Sequence, residues 1–172
     1  DFSEEHRMII KTLEDFVKNE VLPNIETLEH KDWELTRKLM LQAGELGFLG
    51  VDIEEDYGGI DMDHITSLLV CEHSSGSGSF GLTLSCHCGI GSMPLVFFGN
   101  KEQKEKYLPA LASGETIGAY ALTEPGAGTD ALSIQTTAVL SPDGKYYTLN
   151  GAKQYITNSG FADIIFTYAK VD

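Results

Sequence analysis

The sequence predicts an α+β chain, an N-terminal all-α bundle followed by a partial antiparallel β-barrel. Three observations carry this. Up to about residue 115, apolar residues recur at three- and four-residue spacing, the helical period. After Gly114 the segments alternate or are rich in β-branched and aromatic residues, as strands are. Between two of those segments lies "SPDGK", whose Asp143-Gly144 pair is a strong hairpin signal. The expected division is a helical domain over 1–115 and the first part of a β-barrel domain over 116–172.

Each element has its own signal. Ile9, Ile10, Leu13, Phe16, Val17 and Val21 recur at helical spacing, with Ser3 as the expected cap. Pro23 ends or kinks that helix. Trp33, Leu35, Leu39, Met40, Ala43 and Leu46 build a second helix, and Gly47 is a natural stop. "EEDYGGIDMD" is a turn-rich loop. Asp63 caps a third helix through Ile65, Leu68, Leu69 and Cys71. "HSSGSGSFG" is short enough to be a helix–helix connection. A fourth, apolar helix is expected from Phe80 to Phe98, with Pro94 bending or breaking it. Asn100 caps "KEQKEKYLPAL", which Ser113 and Gly114 end. The strands expected next are "TIGAYALT", "IQTTAVLS", "KYYTLNGAKQYITN" and "ADIIFTYAKV". Four strands with a raw end leave edges that need partners.

Composition limits the function classes. Of 172 residues, 42% are hydrophobic and 22% charged, so a real core is expected. The net charge of −14 argues against a nucleic-acid binder, which needs a basic surface, and against docking on anionic lipid. Lys101, Lys104, Lys106 and Lys153 are the candidates for a local anion site, the first three reading as a solvated face. No apolar run is expected to reach the roughly 18 residues of a membrane span. Three cysteines, Cys71, Cys86 and Cys88, are an odd number and no disulfide framework. They fit a reducing compartment, the bacterial cytoplasm or, in a eukaryote, the mitochondrial matrix. "CHC" at 86–88 suggests metal ligands, but residues two apart on a helix face opposite sides, so small buried apolar cysteines are the expectation. The chain starts without Met and stops just after an apolar run; it is expected to be the N-terminal portion of a longer protein.

"YALTEPGAGTD", Tyr120 to Asp130, holds the main chemical question: what approaches its glycines? A P-loop needs a Lys before the Ser/Thr and a helix after it. A dinucleotide fingerprint needs a third glycine and a βαβ unit. Neither is here. On chemistry alone, an ordinary strand-to-strand loop is the favoured reading.

A wider match changes that. "YALTEPGAGTDA" together with "LNGAKQYITNSGFAD" closely resembles the acyl-CoA dehydrogenase family of flavoproteins, and the resemblance extends upstream through "LGFLGVDIEEDYGG" and "GSMPLVFFGNKEQKEKYLPALASGE". It implies FAD as cofactor, an N-terminal helical domain, a middle β-barrel domain and a further helical domain that this sequence lacks. It puts Tyr120, Leu122, Thr123, Gly128 and Thr129 along the flavin, Thr123 at its pyrimidine side. Thr129 stands where the family usually has Ser and would also touch the acyl-CoA. Tyr155, Ile156 and Thr157 would lie on the other side, with Thr157 donating to the flavin N5. Many members have Trp where Tyr155 stands; an aromatic plate is kept. Cys86 and Ile90 would be walls of the acyl pocket, and His87 reads as a surface or satisfied histidine.

The implied reaction makes a trans-2-enoyl thioester by removing an α proton and a β hydride. The flavin takes the hydride. A carboxylate must take the proton, and in the family it lies outside the part matched here. Glu124 reads as a structural turn residue, and no catalytic residue is assigned in this chain. The resemblance also implies an acyl-CoA substrate, an electron-transfer flavoprotein as acceptor and a homo-oligomer at full length. The expected activity belongs to the full-length parent, the chain alone being inactive. Alternatives are a non-catalytic binding or scaffold module with the same fold, and a related flavoenzyme acting on a different substrate.

Overall fold

The computed structural model describes residues 2–171. The helices are α1 (Glu4–Phe16), α2 (Ile25–Glu29), α3 (Trp33–Glu45), α4 (His64–Ser74), α5 (Ser79–Cys88), α6 (Met93–Phe98) and α7 (Lys101–Ser113). The starts of α1, α3, α4 and α7 are set by polar side chains that satisfy N–H groups left over in a first turn. The Ser3 hydroxyl accepts from the His6 N–H, and His6 Nδ1 accepts in return from the Ser3 N–H. Asp32, Asp63 and Asn100 accept from the N–H groups of Leu35, Thr66 and Gln103. Their ends are as expected after α3 and α7, where Gly47 (φ 84°) and Gly114 (φ 80°) turn left-handed. Around Pro23 the chain changes its winding instead of stopping. Val17–Val21 forms a π-helical turn and Leu22–Asn24 a 3₁₀ turn. Pro23 sits in the first turn of the tighter helix, where an N–H is not needed.

The apolar run after Gly78 departs from expectation. Ser79–Phe98 is long and apolar enough, by composition, to cross a membrane. Half of it is buried inside the fold, and it is not one helix. It breaks at residues 89–92. Pro94 then falls in the first turn of α6. The break has a tertiary cause: Gly91 lies backbone to backbone on Gly118. A Cβ on Gly118 would stand 2.4 Å from the Gly91 carbonyl oxygen.

The main core gathers Phe16, Leu39, Met40, Phe48, Phe80 and Leu84. The Phe16 ring lies 6.1 Å from both Phe48 and Phe80. Ile117, at the entrance to the β region, is fully buried in that same cluster. On α4 the expected apolar face is only partly used. Leu69 is buried, whereas Ile65 and Leu68 stand 48% and 69% exposed.

The strands are β1 (Gly118–Ala121), β2 (Thr137–Leu140), β3 (Tyr147–Asn150), β4 (Ile164–Thr167) and β5 (Lys170–Val171). The α+β class holds, and the hairpin forms as read. β2 pairs antiparallel with β3 around Gly144 (φ 69°). The other two ladders are parallel, β1 with β4 and β2 with β5. The described strands therefore form two sheets, β1-β4 and β3-β2-β5, and close no barrel. The correction to an all-antiparallel sheet follows from connectivity. The hairpin and its flanking loops lie between β1 and β4, so the chain returns to β1 by a long crossover in the same direction.

Contacts across residue 115 join the two parts. Arg37 on α3 makes a two-pronged ion pair with Asp163 at 2.9 and 3.0 Å, and also donates to the Phe161 carbonyl. Asp163 accepts from the Ile117 N–H at 2.9 Å. The guanidinium holds its carboxyl below the usual range; burial opposes it, and this bond adds a smaller push in the same direction as the guanidinium. The Trp33 ring stacks on Phe161 at 4.8 Å.

Candidate functional site: a seam of hydroxyl-bearing loops

β1 ends at Ala121, and Leu122, Thr123 and Glu124 lead into the glycine turn. Glu124 and Ala127 exchange both backbone hydrogen bonds, 2.9 and 3.1 Å, which folds the turn back on itself. Gly126 and Gly128 do not have positive φ, and a Cβ on either would meet nothing within 4 Å. Neither backbone conformation nor crowding within the described residues demands glycine there. The N–H groups of Gly126, Gly128 and Thr129 bond to no backbone carbonyl among the described residues. Gly128 and Thr129 are exposed at the tip.

The second segment comes alongside. The Gln154 N–H donates to the Thr123 carbonyl at 2.9 Å, and the Gln154 side-chain amide to the Glu124 carbonyl at 3.3 Å. Lys153 Nζ donates to the Leu122 carbonyl at 3.0 Å and to Glu124 Oε1 at 2.8 Å. So Lys153, a candidate anion site by sequence, is turned inward and paired. Glu124 is 4% exposed. It accepts further bonds from the Gln135 and Thr136 N–H groups and the Thr136 hydroxyl. Lys153 first, then the Thr136 hydroxyl, hold its carboxyl down to about 2. A carboxylate so held is a turn clamp, as read from the sequence, and not a base for neutral pH.

Residues 151–158 are no strand, contrary to expectation. Tyr155 and Asn158 take φ of 58° and 69°, a left-handed conformation that pairing in a ladder excludes. The Tyr155 ring is 86% exposed. Asn158 is buried, and its amide donates to the Thr83 carbonyl at 3.1 Å and the Gly118 carbonyl at 3.3 Å. Thr157, half-buried beside it, reaches the thiol of Cys86 on α5. Burial pushes that thiol up, and the Thr157 hydroxyl acts in the opposite sense. Ile156 is half-buried.

The structure thus brings Leu122 and Thr123 against residues 153–154, and Thr157 against Cys86. Tyr120 is half-buried with its ring 4.9 Å from Tyr168; burial, then the Tyr168 hydroxyl, push its phenol up to about 12. Ile90 falls in the helix break and is 46% exposed, away from these contacts. A cavity of about 210 Å³ lies to one side, lined by Trp33, Phe80, Leu82, Thr83, Thr157 and Phe161. Thr157 is the single predicted flavin residue in that lining.

His87 is a satisfied histidine, and fully buried. Its Nε2–H donates to the Leu111 carbonyl at 2.9 Å, and its Nδ1 accepts from the Gly118 N–H at 3.0 Å. Burial lowers its pKa to about 4, so the ring is neutral. Cys88 is buried with its thiol on the Phe48 carbonyl, and burial pushes that thiol strongly up. Among the described residues no three His, Cys, Asp or Glu side chains are grouped to hold a metal ion. Sequence reasoning missed Asn158 and the long-range role of Lys153. Asn158 carried a local signal, an Asn before Ser-Gly that suits a left-handed turn. Lys153 carried none.

A helical bundle that runs into a β region, with two hydroxyl-bearing loops meeting at the join, defines a class of two-part proteins. Comparison with known proteins then gives the family. The profile described as "Acyl-CoA dehydrogenase, N-terminal domain" matches residues 3–115, and "Acyl-CoA dehydrogenase, middle domain" matches residues 119–172. The chain belongs to the acyl-CoA dehydrogenase family. It is 56% identical over all 172 residues to a probable acyl-CoA dehydrogenase of Bacillus subtilis, of which it spans 29%. The crystal structure of an acyl-CoA dehydrogenase complexed with FAD from Bacillus anthracis superposes with a TM-score of 0.97 at 56% identity, over all of this chain and 30% of that one. A chain in a structure of the electron transferring flavoprotein of Acidaminococcus fermentans gives 0.87 at 39% identity, over all of this chain and 45% of that one.

Proposed function

We propose that the full-length protein is an FAD-dependent dehydrogenase that oxidises an acyl-CoA thioester to the trans-2-enoyl-CoA, and that residues 1–172 supply one wall of its flavin site. The observation that carries this is the bond from the Gln154 N–H to the Thr123 carbonyl, which sets two hydroxyl-bearing loops side by side. The donor set fits a flavin. Its pyrimidine edge and diphosphate are rich in acceptors. The seam offers the hydroxyls of Thr123, Thr129 and Thr157 and the N–H groups of a turn whose glycines leave open space above them. Tyr155 presents a bare ring for stacking. A bound flavin supplies an acceptor for a hydride.

In this reading Thr123, Gly128, Thr129 and Thr157 bind the flavin through hydroxyl or backbone. Tyr120, Leu122, Tyr155 and Ile156 shape and shield its plane. Thr129 and Cys86 face the acyl-CoA, with Ile90 further along. Glu124 holds the seam closed and takes no proton. The base therefore comes from outside this chain, and the isolated chain neither turns over acyl-CoA nor retains FAD. An electron-transfer flavoprotein is the proposed acceptor, in keeping with the similarity to a chain solved with such a protein.

The test uses the full-length protein. Purified from cells, it should carry a yellow chromophore that denaturation releases as FAD. Anaerobic addition of short-, medium- and long-chain acyl-CoAs should bleach that chromophore with at least one of them. A colourless protein, or a flavin that no acyl-CoA reduces, overturns the proposal.

A further inference from the structure

We propose that Asn158 is a positioning residue that fixes the Thr157 hydroxyl and the Tyr155 ring in the seam; this rests on the reading that the seam holds a flavin. Tyr155 and Asn158 are both left-handed and bracket Ile156 and Thr157. Such a pair of reversals does not hold itself in place, because β-branched residues between them favour an extended chain. The restraint comes from the Asn158 side chain, which is 7% exposed. Its amide nitrogen bonds at once to a carbonyl on α5, that of Thr83, and to the carbonyl of Gly118 at the start of β1. Two acceptors fix which end of the amide is nitrogen.

Gly118 is held on its other side as well, since its N–H donates to His87 Nδ1. The Asn158 carbonyl accepts from the N–H groups of Phe161 and Ala162, at 3.0 and 2.8 Å, which closes the next turn and carries Phe161 onto Trp33. One residue therefore ties α5, β1 and the seam loop together. Its Oδ1 is buried and has no partner among the described residues.

Two substitutions separate backbone from side chain. Asn158→Gly keeps the left-handed turn free of strain and removes the anchor. Asn158→Asp keeps the volume but turns a carboxylate oxygen on two carbonyls. In the full-length protein, hydrogen exchange of the peptide covering 153–158 should speed up about tenfold in Asn158→Gly, as two lost hydrogen bonds predict. Exchange in α3 and α7 should not change. The visible spectrum of the bound flavin should shift, and kcat should fall roughly tenfold or more with KM little changed. Asn158→Asp should be worse in each measure, and its exchange and spectrum serve if the glycine variant does not accumulate. A wild-type protein without flavin overturns the flavin reading and this role with it. Flavin in the wild type, with spectrum, exchange and kcat unaltered in both variants, overturns the role alone.

Discussion

The His87 side chain is committed at both ring nitrogens. It bridges the end of α7 and the start of β1 as a neutral ring, donating at one nitrogen and accepting at the other. Protonation would turn the accepting nitrogen toward an N–H that already donates. With a pKa near 4 in the fold and 6.5 when unfolded, the unfolded chain takes up the proton first as pH falls. Stability is therefore whole above 6.5 and declines from there to about 4, by about 3 kcal/mol across the window. Urea midpoints taken across that range should fall with pH in the wild type, and the slope should flatten in His87→Gln. A midpoint independent of pH over this interval would show that His87 is not the sensor. Below about 4.5 a second decline should begin, because Glu124 contributes stability only while ionised. The sequence marked His87 as a surface or satisfied histidine, of which only the second holds, and Glu124 as a turn residue. It could not supply their partners, which lie 24 and 29 residues away.

Among the elements, helix ends were far more legible than helix continuity. Ser3, Asp63 and Asn100 were read as caps, and each accepts the N–H three residues on. Capping is a local event between near neighbours, so a single sequence records it. The split of the apolar run into α5 and α6 was not placed correctly, since Gly91 breaks there to make room for Gly118. Gly118→Ala tests that cause. Its methyl would stand 2.4 Å from a backbone oxygen, a clash no rotamer relieves. A loss of about 2 kcal/mol or more is expected, read from the chemical-denaturation midpoint. Gly126→Ala should cost far less, because open space lies above it. Equal losses at the two sites would remove the packing account of the break. The strand read through 151–158 failed for a related reason. Alternation of side chains is a pattern of composition, and left-handed turns at Tyr155 and Asn158 interrupt it without altering it.

For the whole molecule, the helical part and the β region share one core and a set of cross-links. Ile117 packs with the bundle, Arg37 reaches Asp163, His87 reaches Gly118, and Asn158 reaches Thr83. The Glu124–Lys153 pair then holds the seam shut from beneath. A paired buried charge costs most when one member is left alone. Lys153→Met and Glu124→Gln should therefore each lower the melting temperature by more than half of what the double variant loses. Strict additivity of the two losses would mean the pair does not act as a unit. In the full-length protein each single variant should also release flavin more readily, as the two loops part.

The sequence by itself determined the α+β class, the caps at Ser3, Asp63 and Asn100, the Asp143-Gly144 hairpin and, through two long motifs, the family. All of these are written in neighbouring residues or in runs that match as text. Tertiary structure alone decided that β1 and β4 run parallel, that the apolar run breaks at Gly91, and that Lys153 points inward. It alone set Asn158 across two carbonyls. These outcomes depend on which backbone meets which across long stretches of chain. Steric exclusion and the pairing of buried polar groups settle that, and neither leaves a mark in local pattern.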